Sequence, residues 1–250
     1  MTSPHEDASE RLPDYFELRD IDAGTYESAE LGRWLEDELL NLPKSSSILD
    51  FGCGFGQNLR GIKAMGFGDI VGADINPPAL RACRTGGLTV FDVSNGIHVL
   101  AASHDPFDCI ITTHVLEHIP KKEVVSVVSG LRALLKPGGI LIVAVPNAQS
   151  YTGAYWAYED FTHETLYTYG SLRYVLKASG FSNVNLIDRD ATAGQSIATK
   201  LLRRLFFRLH GMRYSFWKRA LASPTHITGT DVFTYEIKML ARAPSAHGLR

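Results

Sequence analysis

The 250-residue chain is predicted to be an α/β protein: a mostly parallel sheet with helices on both faces. Two observations predict this. Short, continuous apolar runs alternate with segments of helical periodicity, the pattern of strands buried on both faces and joined by crossover helices. A glycine-rich turn then follows the first run, and acids close the second and third, which is where open parallel sheets place their ligands. Hydrophobic residues make up 45% of the chain and charged residues 21%, enough to bury a large core. Twenty-five basic residues against 27 acidic ones leave a net charge of -2, which excludes a strongly basic nucleic-acid coat.

In chain order, residues 1–14 are polar and read as a loose tail without the apolar stretch of a signal peptide. Glu27 to Leu40 places Leu31, Trp34, Leu35, Leu39 and Leu40 at helical spacing, so residues 1–40 read as a tail and helical cap before a domain at 41–250. Strands are expected at 45–52, 69–75, 88–93, 107–114 and 140–147, with helices at 57–65, 77–85 and 121–135 between them. The last of these helices carries Val124, Val128, Leu131 and Leu135 on one face and meets a stop at Lys136-Pro137-Gly138-Gly139. A further helix at 171–181 and strands at 182–188 and 231–242 complete the pattern. Cys53, Cys83 and Cys109 are too few and too scattered for a disulfide framework, so a cytoplasmic setting is expected, and no run is long enough to span a membrane.

The segment 194–224 stands apart. It holds Lys200, Arg203, Arg204, Arg208, Arg213, Lys218 and Arg219 and no acid, with leucines and aromatics between them. It reads as a basic amphipathic helix inserted before the last strand. It could serve as a lid over the acceptor, or as a face toward the inner membrane or a lipid-linked substrate.

The strongest chemical signal is Asp50-Phe51-Gly52-Cys53-Gly54-Phe55-Gly56 at the first strand-to-helix turn. Glycines there allow positive φ and close approach of backbone to a ligand. Asp74 closes the second run 24 residues after Asp50, where a Rossmann-like unit uses an acid on ribose hydroxyls. Asp92 closes the third run, placed for an adenine edge, and Asp108 and Thr113 open and close the fourth. A dinucleotide fingerprint would need glycine at Gln57, and an acid two residues before the triplet suits a cationic amino-acid moiety better than a pyrophosphate.

These residues resemble the class I S-adenosylmethionine-dependent methyltransferases over about residues 46–190. The resemblance implies a Rossmann-like, seven-stranded, mostly parallel sheet whose last strand is antiparallel. It also implies that Asp50, Gly52, Gly54 and Gly56 line the methionine part, Asp74 the ribose, and Ile75, Asp92 and Val93 the adenine, with Thr113 nearby. The acceptor-side segment 148–170 contains Asp160-Phe161-Thr162-His163-Glu164 followed by Tyr167-Thr168 and Ser171-Leu172. This block is similar to a signature of bacterial sugar and O-antigen O-methyltransferases, implying a saccharide hydroxyl as acceptor. A quinol, polyketide or other small molecule is the alternative, and a non-catalytic S-adenosylmethionine-binding module of a polysaccharide-assembly complex is the alternative outside enzymes.

Removing the proton of an acceptor hydroxyl calls for a general base. His163 is the first candidate, oriented or replaced by Asp160, with His118, Tyr158 and Glu164 as substrate contacts. His114-Val115-Leu116-Glu117-His118 matches a zinc-protease motif by letters, but it spans a strand end and meets Pro120, so no protease follows. No metal is expected. Were a divalent ion present, His114, Glu117 and His118 are the residues expected to hold it.

Overall fold

The structure, a computed structural model, describes residues 15–22, 24–26, 30–221 and 229–245. The tail expected at 1–14, and the start of the helix expected from Glu27, lie outside the described residues. Seven strands form one sheet: β1 (Ser47–Phe51), β2 (Asp69–Asp74), β3 (Val90–Asp92), β4 (Phe107–Thr113), β5 (Leu135–Pro146), β6 (Asn183–Leu186) and β7 (Glu236–Arg242). Their order is β3-β2-β1-β4-β5-β7-β6. β2 and β4 flank β1 in parallel, β3 runs parallel to β2, and β6 and β7 pair antiparallel. This is the Rossmann-like sheet expected from the sequence.

The chain divides into two compact units. The first comprises Met1–Thr112, Gly130–Leu141 and Ala243–Arg250. It holds helices α1 (Arg33–Leu39), α2 (Gln57–Ala64), α3 (Pro77–Thr85) and α4 (His98–Ser103). α1 buries Leu35 and Leu39, with Leu31 just before it, on one stripe, while Leu40 is exposed. α3 begins cleanly because Asn76 accepts from the Ala79 N–H at 3.0 Å and Pro77 needs no N–H at the first helical position. Leu59, Leu80, Cys83 and Val90 pack with Cys53 beneath the glycine turn. All three cysteines are buried and free.

Asp108 departs from the expectation that every strand-end acid serves one crevice. It lies at the start of β4, where it accepts from Ser47 N–H at 2.9 Å and from Lys136 Nζ at 2.7 Å. It ties the starting ends of β1, β4 and β5 together, opposite the end where the glycine turn lies.

The second unit comprises Thr113–Ser129 and Ile142–Arg242. It contains α6 (Gly153–Glu159), α7 (Tyr169–Ala178) and α8 (Ile197–Leu221); α5 (Val124–Ala133) begins in it. α7 opens with a capping box: Thr168 Oγ1 accepts from Ser171 N–H, and Ser171 Oγ accepts from Thr168 N–H at 2.9 Å. The last strand begins at Glu236 rather than at 231. The reason is Asn147, fully buried, whose amide donates to the carbonyls of Val232 (2.7 Å) and Thr234 (2.8 Å). A side chain takes the acceptors that a strand ladder would have used.

Candidate functional site

Two clusters of chemical residues form, one in each unit. In the first, the turn after β1 runs through Gly52, Gly54 and Gly56 with φ of 80°, 51° and 81°. Each is left-handed, which explains the glycines directly. At Gly56 space is short as well: a Cβ would lie 2.6 Å from Leu88 and 3.0 Å from Cys83 Sγ. Gly87 has a similar φ of 70° and nothing within 4 Å. Gly87→Ala is therefore expected to cost about 1 kcal/mol through backbone strain alone. Gly56→Ala should cost a further 1–3 kcal/mol, roughly, for overpacking. Urea unfolding of the two variants measures the difference; equal losses would mean that Leu88 simply moves aside.

Asp74 closes β2, and its carboxylate holds this turn. Oδ2 accepts from Gly54 N–H at 2.8 Å, and Oδ1 accepts from Ile75 and Asn76 N–H, both at 2.8 Å. Burial nonetheless raises its pKa above the ordinary value. Asp50 is 1% exposed and its Oδ2 has no hydrogen-bond partner. Burial pushes its pKa up to about 7, against a weak bond from Asn58, and the charge of Asp74 pushes the same way. Such a carboxyl is poised to receive a cation, which would restore its ionised form. Asp92 is exposed and accepts from Ser94 N–H at 2.9 Å; Val93 is buried and Ile75 is 38% exposed. One contact was not read from the sequence. Phe16 packs on Phe55 with ring centroids 4.7 Å apart and reaches the face of Gly54.

In the second unit, β4 ends at Thr113, and His114 takes φ of 56° to turn the chain into a short 3-10 helix at Leu116–His118. His114 lies between two carboxylates, Glu236 Oε1 at 2.8 Å from Nε2 and Glu117 Oε1 at 3.4 Å from Nδ1. The Glu117 contact is an ion pair rather than a hydrogen bond, and neither oxygen of this fully buried side chain has a hydrogen-bond partner. Burial works against a charged imidazole here, but the two carboxylates outweigh it and raise the His114 pKa to about 10. Half the side chain stays accessible, so water screens part of that attraction, yet His114 keeps its proton at neutral pH.

Beside it, His118 Nδ1 lies 2.8 Å from Thr162 Oγ1, and Thr162 Oγ1 donates to Asp160 Oδ1 at 2.7 Å. Because the threonine hydroxyl gives its proton to the carboxylate, it accepts from His118 Nδ1–H. That fixes the tautomer and makes Nε2 the basic nitrogen. Burial lowers the His118 pKa despite nearby Glu117 and Asp160, so the ring is neutral at pH 7. His163 packs against His118 with ring centroids 4.8 Å apart and the planes tilted by 53°, and its Nδ1 lies 2.6 Å from the Trp156 carbonyl. Its side chain is 6% exposed, and Asp160 Oδ2 lies 3.9 Å from its Nε2. Asp160 thus bonds the Thr162 hydroxyl and stands farther from the histidine it was expected to orient. Tyr158 is 85% exposed and Glu164 is exposed on the chain beyond, with only its N–H engaged by the Glu117 carbonyl at 2.8 Å.

Among the described residues, Glu117, His118 and His163 offer ligand atoms within 4.8 Å of one another, close enough for a cation. The trio expected from the sequence differs: His163 stands in the place expected for His114, whose ring nitrogens face Glu236 and Glu117. A hollow of about 800 Å3 lies along α8, lined by Arg208, Met212, Phe216 and Arg219, and takes in neither cluster.

The profile described as "Methyltransferase domain" matches residues 24–186. The chain belongs to this methyltransferase-domain family. The match takes in β1–β6, the glycine turn and the His118–Thr162–Asp160 chain. The domain is 31% identical over 119 residues to a ubiquinone biosynthesis O-methyltransferase of Cereibacter sphaeroides, covering 44% of this chain and 47% of that one. It is 33% identical over 108 residues to the Roseobacter denitrificans protein of the same name, covering 42% of each. The chain thus spans about half the length of the curated relatives it matches. A SAM-dependent methyltransferase from Archaeoglobus fulgidus shares the fold with a TM-score of 0.62 and 18% identity, over 91% of this methyltransferase domain's chain and 97% of its own.

Proposed function

We propose that this chain transfers a methyl group from S-adenosylmethionine to a hydroxyl of a small aromatic molecule of the quinol or phenol kind. The observation that carries the chemistry is the hydrogen-bonded chain His118–Thr162–Asp160, which presents a neutral imidazole as a base. The family match and the names of the relatives support the rest.

The first unit suits the cofactor. Asp50, buried with an oxygen lacking a partner, would receive the ammonium of the methionine part. Asp74 spends three of its roughly four acceptor sites on backbone N–H groups and keeps the remainder for ribose hydroxyls. Ile75 and Val93 offer apolar surface to the adenine, and Asp92 its edge contact. When bound, S-adenosylmethionine supplies a methyl already activated on a sulfonium, so the protein has to position the acceptor, exclude water and handle one proton.

His118 Nε2 would take up the proton that the acceptor hydroxyl gives up on methylation. The imidazolium so formed is supported through Thr162 by the Asp160 carboxylate. A neutral histidine matches a phenolic hydroxyl, with a pKa near 10 as in tyrosine, better than a much less acidic sugar hydroxyl. This matching, with the relatives' names, favours the small-molecule reading over the surface saccharide suggested by the Asp160–Glu164 block.

The test offers purified protein and labelled S-adenosylmethionine to a panel of catechols and demethylated quinols and, in parallel, to nucleotide sugars, each with and without EDTA. Labelled phenol ethers are expected. Label in sugars alone would restore the saccharide reading, and cofactor binding without label in any acceptor would point to a non-catalytic module. Loss of activity with EDTA would show a need for a cation, for which Glu117, His118 and His163 are the candidate ligands, and would overturn the reading of His118 as a free base.

A further inference from the structure

The orientation of α8 is the reverse of what burial favours. Its inner side is made of Arg203, Phe207, His210, Gly211, Tyr214 and Lys218. There His210 and Tyr214 meet the Phe233 ring at 4.3 and 5.3 Å between centroids, and Lys218 pairs with Asp231 at 3.0 Å. Its outer side carries Leu201, Leu202, Leu205, Leu209, Met212 and Phe216, each 54–68% exposed. At 100° per residue these six fall within about a third of the helix circumference. Arg204, Arg208 and Arg219 edge this stripe on one side and Arg213 on the other. None of the 25 residues is buried and none is acidic.

We infer that this outer face of α8 docks onto an anionic lipid bilayer, the leucine stripe entering the boundary between headgroups and acyl chains and the flanking arginines meeting lipid phosphates. A row of leucines calls for an apolar medium, and cations along both of its margins call for negative charge at the edge of that medium; a bilayer surface offers both. A second copy of the chain fits poorly, because pairing two such faces would oppose four arginines to four without a single acid on either helix. The helix lies on the surface and does not span it: no helix among the described residues is long and apolar enough to cross a membrane. The inference is independent of the methyl-transfer reading.

Co-sedimentation of the full chain with vesicles tests it. Binding is expected to vesicles of phosphatidylcholine with one third phosphatidylglycerol, not to phosphatidylcholine alone, and to weaken steeply with added salt. At roughly fivefold for each cation removed, Arg204→Gln, Arg208→Gln and Arg219→Gln together should weaken binding about a hundredfold. Leu205→Glu with Leu209→Glu should abolish it. Both variants alter solvent-facing side chains only, so an unchanged melting temperature and S-adenosylmethionine affinity serve as controls for folding. Failure to sediment with anionic vesicles would overturn the inference. So would binding that both variants retain, or a concentration-dependent dimer, seen in analytical ultracentrifugation, that the glutamates dissociate.

Discussion

Replacing His118 by alanine is expected to lower turnover by about 10²–10⁴-fold, the range a positioned general base supplies. Affinity for S-adenosylmethionine should stay unchanged, because the residues proposed to hold it, Asp50, Asp74 and the glycine turn, are left intact. His163→Ala, which removes a buried ring supported by the Trp156 carbonyl, should act on stability more than on turnover. The pH profile separates a base from a packing residue. Burial holds the His118 pKa below its ordinary 6.5, so turnover should rise with pH along a limb lying under 6.5 and then level off. Asp160 favours the protonated ring. Asp160→Asn should therefore move that limb to still lower pH while also reducing turnover, since the imidazolium formed in the reaction loses its support. A His118→Ala variant keeping more than a tenth of wild-type turnover would remove His118 from the role. An Asp160→Asn limb that does not move would reduce Thr162 and Asp160 to structural contacts.

The parts of this arrangement that were legible in the sequence are those dictated by local patterns. Apolar runs and helical spacing located the strands and most helices, because a buried parallel strand has few alternatives for a run such as Ile140–Val145. Left-handed glycines at a strand-to-helix turn announced themselves at Gly52, Gly54 and Gly56. Asp50 and Asp74 were legible for the same reason: Asp74 closes β2, and Asp50 stands one residue before the end of β1.

What escaped the sequence depends on partners far away along the chain. Asp108 looks like another strand-end acid, and only the position of Lys136 and Ser47 shows it to be a tie at the opposite end. Glu236 gave no signal at all, since it meets His114 across 122 positions. The Asp160 and His163 pair, three residues apart, suggested a direct contact. Asp160 Oδ2 does face His163 Nε2 at 3.9 Å, but Oδ1 takes the Thr162 hydroxyl and passes its influence to His118, 44 positions from Thr162. Amphipathicity located α8 but not its facing, because the periodicity of a helix does not say which side meets the protein.

His114 makes the second large prediction. The ring bears a proton held by Glu117 and Glu236, and Glu117 is fully buried. His114→Asn keeps a residue that tolerates positive φ, so what it removes is charge rather than backbone fit. Breaking a fully buried pair costs about 3–5 kcal/mol; with half the His114 side chain in contact with water, a loss of about 2–3 kcal/mol is expected at pH 6. The pKa is raised on folding, from about 6.5 to about 10. The stabilisation is therefore complete below pH 6.5 and disappears as pH rises toward 10. Urea unfolding of wild type and variant should show a gap widest at pH 6 and nearly closed at pH 10; a gap independent of pH would mean that the folded protein holds His114 neutral. Adding Glu117→Gln to His114→Asn should recover part of the loss at pH 6, because the damage lies in leaving a buried carboxylate without its cation rather than in the absence of the pair itself. If the double variant is instead less stable than His114→Asn by the full cost of a second independent lesion, the two side chains are not coupled, and the positive charge at the end of β4 serves Glu236 alone.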